Sequence, residues 1–302
     1  MDFTELKYVL AVSKHQSITK AATSLFISQP SLSRYLKNLE TRLGLKLFEK
    51  IGNKFVLTYA GEVYVNTSYR ILSLKKQLDQ QLSDIKNDKK GRIHLALSRI
   101  RGSHVLPNVL PEFTKEYPEF NIEVTEAQST EIEDKIIRGE VDVAIMNRPI
   151  KNPNIDHWLI QKEYLLLAVP PSHPKSKYKK KFKGLPYYWI DLSIFENELF
   201  VLTDSSQRTR ELANQALKKY NVNPNVALTT QNLETAIKLA ANSIGVSFTP
   251  ESFTKFIHTP VAPHYFIIGE PPITTDLVAA FRKGTYLSNA TKRFIEIYKS
   301  RI

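Results

Sequence analysis

Cysteine is absent from the 302 residues. No disulfide framework and no thiolate metal site can form, a composition that suits a reducing cytoplasm. Glycine is scarce, with ten residues spread widely, so there is no glycine-rich loop to cradle a phosphate. A Gly-x-Ser-x-Gly nucleophile elbow is also missing. The seven histidines are scattered without metal-ligand spacing. No apolar run reaches the roughly 20 residues a membrane span needs, so a membrane partner is not expected. The start, Met1-Asp2-Phe3-Thr4-Glu5-Leu6-Lys7, lacks a basic-then-apolar secretion signal.

What is present is enough apolar residue, 42%, to bury cores in two or three domains. The chain is also basic, with a net charge of +12. Residues 1–90 hold 15 Lys/Arg against 8 Asp/Glu, and the remaining 212 hold 27 against 22. The excess is therefore densest in the first third, as a phosphate-binding module requires.

That third has a helical pattern. Phe3, Leu6, Val9 and Leu10 share one helical face. Ser17 is placed to cap a second helix over about 18–25, kept thin by Ala21 and Ala22. Phe26 and Ile27 form an apolar turn. Ser28 then caps a third helix with Pro30 in its first turn, where the missing N–H costs little. Leu32, Leu36, Leu39 and Leu43 face inward, and Gly44 ends the helix. Gln29, Ser31, Ser33, Arg34 and Lys37 remain outside. Gln can read adenine and Arg guanine by bidentate contacts, while hydroxyls and helix N-termini bind phosphate. Two small-crossing helices followed by a polar capped one describe a helix-turn-helix. Two strand-like pieces, 45–50 and 54–58, flank Ile51-Gly52-Asn53 and carry lysines on both arms, the pattern of a wing.

This dense pattern resembles the LysR-type transcriptional regulators. It is carried by residues 17–22, Ser28-Gln29-Pro30-Ser31-Leu32-Ser33, Leu39-Glu40, Leu43-Gly44, Leu47-Phe48, Leu57-Thr58 and Ala60-Gly61. The resemblance implies a winged helix-turn-helix whose third helix reads the operator. The DNA-contacting residues it and the reading above imply are Ser17, Thr19, Ser28, Gln29, Pro30, Ser31, Ser33, Arg34, Lys37, Lys50 and Lys54. Near Lys50 and Asn53 the family usually has arginine, and Lys54 stands next door. Lysine binds phosphate as a point charge without arginine's fork.

Thr58 is placed to cap a long helix running to about Ile85. Ile71, Leu74, Leu78, Leu82 and Ile85 recur three or four apart on it, a seam for a partner helix. Burial against the chain's own body is the alternative, and the resemblance implies a dimerising linker. Lys86-Asn87-Asp88-Lys89-Lys90 reads as a charged hinge. The expected domains are 1–58, 59–90 and 91–302, the last split into lobes of about 91–162 with 269–302, and about 163–268.

From Gly91 onward strand and helix patterns alternate. Strands are expected over 93–97, 121–124, 141–145, 165–169, 199–202, 245–248 and 276–281, and helices over 105–116, 132–138, 208–220, 233–241 and 288–299. Such alternation argues for a mostly parallel α/β sheet in two lobes joined by crossing strands. The resemblance extends here through Leu106-Pro107, Phe113, Tyr117-Pro118, residues 139–145 and Gly245-Val246…Pro250-Glu251. It implies a bilobal, periplasmic-binding-protein-like effector domain. Ligands of such folds bind where loops leave the carboxyl ends of strands. Those loops offer Ser98, Arg99, Ile100, Arg101, Gln128, Ser129, Asn147, Arg148, Thr203, Ser205, Asn232 and Phe248. Ile100 stands where the family often has a second hydroxyl. Helix N-termini and arginines there point to a small anionic effector such as a carboxylate, with no cofactor or metal. Lys175, Lys177, Lys179, Lys180, Lys181 and Lys183 read as a solvated basic loop.

The expected function is a cytoplasmic, ligand-responsive DNA-binding regulator. Its partners would be double-stranded promoter DNA of dyad symmetry, a second copy in a homodimer or homotetramer, and RNA polymerase as a candidate. A small-molecule-binding protein or enzyme on a bilobal α/β scaffold is the alternative, but neither accounts for a basic three-helix head. A DNA-packaging protein without ligand control leaves the large bilobal body unexplained.

Overall fold

The computed structural model describes residues 2–86 and 90–302. Most of the expected charged hinge, residues 87–89, lies outside the described residues. The chain divides into an N-terminal unit built on residues up to Ile85 and a C-terminal unit built on residues from Lys86.

In the N-terminal unit, α1 (Phe3–His15) starts where the Asp2 carboxylate accepts the Thr4 N–H at 3.3 Å. α2 (Ile18–Ser24) starts at Ser17, whose hydroxyl accepts the Lys20 N–H at 3.4 Å. α3 (Gln29–Leu43) starts at Ser28, whose hydroxyl accepts the Ser31 N–H at 3.3 Å, and stops at left-handed Gly44. The expected caps therefore form, each satisfying an N–H the helix leaves unpaired. Ala21 and Ala22 are fully buried and let α1, α2 and α3 close on Leu32, Leu36 and Leu39. Leu43, the last helical residue, is 40% exposed rather than inward. The turn before α3 is apolar packing only in part: Ile27 packs against the core, whereas Phe26 has a left-handed φ of 56° and is 95% exposed.

β1 (Phe48–Ile51) and β2 (Lys54–Leu57) form an antiparallel hairpin turning through Gly52 and Asn53. Gly52 takes φ of +59° as the first turn residue, the position glycine occupies in a type II′ hairpin. β1 begins at Phe48, not Leu45, because Glu40 on α3 draws the chain in. Its carboxylate accepts the N–H groups of Leu47 at 2.8 Å and Phe48 at 3.2 Å. α4 (Tyr59–Ile85) is capped as expected, the Thr58 hydroxyl accepting the Gly61 N–H at 3.0 Å. A Cβ on Gly61 would sit 2.0 Å from the Leu47 carbonyl oxygen, so only glycine permits this approach. Val65 and Ser68 bury the first half of α4, whereas Leu74, Leu78, Leu82 and Ile85 are all exposed in its second half.

The C-terminal unit runs β3 (Lys90–Leu97), α5 (Arg99–Glu116), β4 (Glu119–Glu126), α6 (Ser129–Arg138), β5 (Val143–Asn147) and β6 (Ile155–Val169). It continues with β7 (Tyr188–Ile190), β8 (Leu199–Thr203), α7 (Arg208–Lys219), β9 (Asn225–Thr230), α8 (Leu233–Ala241), β10 (Ser247–Pro250), β11 (His264–Ile268), β12 (Thr274–Arg282) and α9 (Asn289–Ser300). The sheet is mixed, not mostly parallel. β3 pairs in parallel with β4 and β5, but β12 is antiparallel to both β5 and β6, and β10 and β11 are antiparallel to β6. The reason is the crossing strands. β6 runs out of one lobe into the other, and β12 returns alongside it from Tyr164 opposite Thr274 to Ile155 opposite Arg282.

The first lobe packs α5 and α9 on one face of its sheet, through Val105, Val109, Phe113 and Phe294. It packs α6 on the other face through Ile132 and Ile136. In the second lobe α7 packs through Leu212, Ala216 and Leu217, and α8 through Leu233, Ile237 and Ala240. No helix among the described residues is long and apolar enough to cross a membrane.

Candidate functional site

On the N-terminal unit, Gln29, Pro30, Ser31, Arg34 and Lys37 are exposed on α3, and Ser33 is half-buried. Thr19 on α2 and Lys50 and Lys54 on the hairpin are exposed too. Neither Arg34, Lys37, Lys50 nor Lys54 has an acidic partner among the described residues, so these cations remain available to phosphate or base edges. The hydroxyls of Ser17 and Ser28 are engaged in capping, Ser28 also lying 2.7 Å from the Ser31 hydroxyl. Both hydroxyls thus fix the starts of α2 and α3.

A buried carboxylate fixes this head. Glu5 on α1 takes the Tyr64 hydroxyl of α4 at 2.5 Å and the Arg42 guanidinium of α3. Burial alone would raise the Glu5 pKa, but the Tyr64 and Arg42 hydrogen bonds outweigh it and hold the carboxyl below its ordinary value. Burial, then the hydrogen bond to Glu5, pushes the Tyr64 phenol up in turn.

On the C-terminal unit a cleft of about 590 Å³ opens between the lobes. Eight of the expected residues line it: Ser98, Arg99, Ile100, Arg101, Gln128, Ser129, Asn147 and Asn232. Four do not. Arg148 pairs with Asp276 on β12 at 3.1 Å and stays outside. Thr203 is buried at the end of β8, and Ser205 sits in a turn that Asp204 closes on Ser206. The Ser206 hydroxyl at 2.6 Å and its N–H hold the Asp204 carboxyl below its ordinary value. Phe248 is buried in the second lobe's core, stacked on Phe200 with ring centroids 6.0 Å apart.

The segment after β3 is also helical, not a loop. α5 begins at Arg99, so Arg99, Ile100 and Arg101 form its first turn. Arg101 is 2% exposed and committed to the cleft floor. It donates to Asn147 Oδ1 at 2.7 Å, lies 3.5 Å from Glu163 Oε1 and stands over the Phe253 ring. Its charge is matched by Glu163 rather than offered to a ligand. Gln207, Arg208 and Thr209 at the start of α7 line the cleft where Thr203 and Ser205 were expected. Glu126, Glu234 and Phe253 are further lining residues that hydroxyl and amide content did not point to.

Four helices of eight residues or more start at this cleft: α5 at Ser98, α6 at Ser129, α7 at Gln207 and α8 at Asn232. The Asn232 side chain caps α8 through the Glu234 N–H at 2.9 Å. Ser98 and Gln207 make no such bond to their own helices, leaving first-turn N–H groups of α5 and α7 for another acceptor.

Family models describe both units. Residues 3–62 match the bacterial regulatory helix-turn-helix proteins of the lysR family, and residues 86–302 match the LysR substrate binding domain. The chain belongs to the LysR-type transcriptional regulators. A probable RuBisCO transcriptional regulator of Thalassiosira pseudonana is 31% identical, over 82% of this chain and 80% of its own length. The fold is that of a full-length OxyR variant from Pseudomonas aeruginosa, at a TM-score of 0.74 and 22% identity over 100% of this chain and 94% of that one. Full-length CbnR complexed with its target DNA gives a TM-score of 0.63 at 23% identity, with 100% of each chain covered. As a LysR-type regulator the chain combines a DNA-binding head with a ligand-responsive domain; it is not an enzyme.

Proposed function

We propose that this LysR-type regulator acts in the cytoplasm as a homodimer or homotetramer on a dyad-symmetric promoter site. The paired heads lay α3 in the major groove, Gln29 and Arg34 facing base edges and Lys37, Lys50 and Lys54 facing phosphates. RNA polymerase is the partner such a promoter site brings into reach. A small carboxylate-bearing metabolite in the inter-lobe cleft sets the response.

The observation that carries the effector class is the meeting of four helix N-termini at one cleft, two of them without a side-chain cap. All four contribute partial positive charge to the same volume, and the two uncapped ones add free N–H donors. Arg101 and Arg208 are already matched by Glu163 and Glu133, so the uncapped helix ends carry the argument for an anion.

The test uses full-length protein. Arg34→Ala should weaken operator binding by roughly tenfold or more and relax base preference, since a bidentate Arg–guanine pair contributes about 1–3 kcal/mol. Ser98→Ala with Ser129→Ala should blunt thermal stabilisation by carboxylates and leave DNA binding intact. An unchanged footprint for the first variant, or an unchanged carboxylate response for the second, overturns the corresponding half of the proposal.

A further inference from the structure

Arg208, the first residue of α7, is 5% exposed and lines the cleft from the second lobe. One of its terminal nitrogens, Nη2, donates to Glu133 on α6, across the cleft in the first lobe. The other, Nη1, donates to Glu211 at 2.8 Å. Its Nε is buried and has no hydrogen-bond partner. A buried N–H of a charged group left unmatched is costly, and this one belongs to a residue that lines a cavity.

Glu133 is otherwise well satisfied. Its Oε2 accepts the N–H groups of Lys151 at 3.1 Å and Asn152 at 3.0 Å. It can therefore release Arg208 without becoming an orphaned buried carboxylate. Lys151 in turn reaches Glu211 at 3.4 Å, so two acids and two bases already balance in this cluster. Another carboxylate cannot simply be added there; it must replace one.

We propose that Arg208 anchors the effector carboxylate through its Nε–Nη2 edge, and that the ligand takes this edge from Glu133. The Glu133–Arg208 pair is then a latch between the lobes that an anion exchanges for a ligand-mediated tie. This rests on the reading of the cleft as a carboxylate site and adds which residue binds and how binding reaches the lobe–lobe contact. The edge-on fork of an arginine matches a planar carboxylate with two parallel N–H donors. Lysine at the same position keeps the charge and can still reach Glu133, but has no Nε–Nη2 edge.

The experiment measures binding of acetate, succinate, citrate and inorganic phosphate by calorimetry, in full-length wild type, Arg208→Lys and Glu133→Gln. Because the chain has no cysteine, Lys115→Cys on α5 and Gln215→Cys on α7 provide the sole labelling sites for an inter-lobe fluorescence distance. For the best-bound probe, Arg208→Lys should weaken binding about tenfold or more, the usual scale of a charge-assisted bidentate contact. Glu133→Gln removes the competitor, so it should tighten the same probe severalfold and shift the ligand-free inter-lobe distance. A simple packing role for Glu133 predicts weaker binding instead. Wild-type affinity in Arg208→Lys, or weakened binding with an unchanged inter-lobe distance in Glu133→Gln, overturns the latch and leaves the carboxylate reading standing. Failure of every probe to bind wild type at millimolar concentration overturns the carboxylate reading and the anchor with it.

Discussion

At Glu5 a single carboxylate ties α1, α3 and α4 through Arg42 and Tyr64. Its folded pKa lies below the ordinary value of 4.5, so folding favours the ionised form. The stabilisation is fully present above the ordinary value and is lost as pH falls through the lowered one. Glu5→Gln should cost about 2 kcal/mol at neutral pH, on the scale of hydrogen bonds to charged groups. The gap between variant and wild type should close under acid, as followed by denaturant unfolding at several pH values. A gap that persists at low pH would contradict the assignment. The same residue explains what a pattern cannot reveal. Leu6 and Val9 announce an apolar face by spacing, but an acid among them looks like a solvated position until its partners, 37 and 59 residues away, are known.

Among the elements, legibility followed local chemistry. Ser17, Ser28 and Thr58 cap helices where their sequence neighbourhoods place them, because a cap is a contact over three residues. β9 and β11 were not anticipated, nor was the first half of β6, where Asp156, His157 and Lys162 interrupt the apolar run. That half of β6 lies against β12 and gains its definition from a partner more than a hundred residues away. The basic run 175–183 is only partly free: Lys175 pairs with Glu198 at 2.6 Å, and Lys179 and Lys181 lie over the Tyr188 ring. On α4 the second half presents Leu74, Leu78 and Leu82, each about half exposed in the single chain. A stripe so spaced is a seam for another helix. Leu78→Glu should shift the assembly toward monomer in sedimentation velocity, by placing a charge where two apolar faces close. An unaltered sedimentation coefficient at micromolar concentration would dismiss the seam.

For the whole molecule, the excess of positive charge in residues 1–90 makes DNA affinity a salt-dependent quantity. Operator affinity plotted against salt on logarithmic axes should fall linearly, and Lys50→Ala with Lys54→Ala should flatten the slope by about 1–2 per head if both lysines neutralise phosphates. A slope identical to wild type would place the wing away from the backbone.

The fifteen-residue β6 is a member of both lobes' sheets, and β12 is bonded to it along its first ten residues. Such a double ribbon resists bending across its hydrogen bonds yet yields to torsion, since strands are twisted already. Lobe motion is therefore best pictured as a wringing of this ribbon, in which small rotations at the cleft mouth are shared over many peptide units. A metabolite that exchanges the Glu133–Arg208 tie would then act on the regulator by retuning torque along this ribbon.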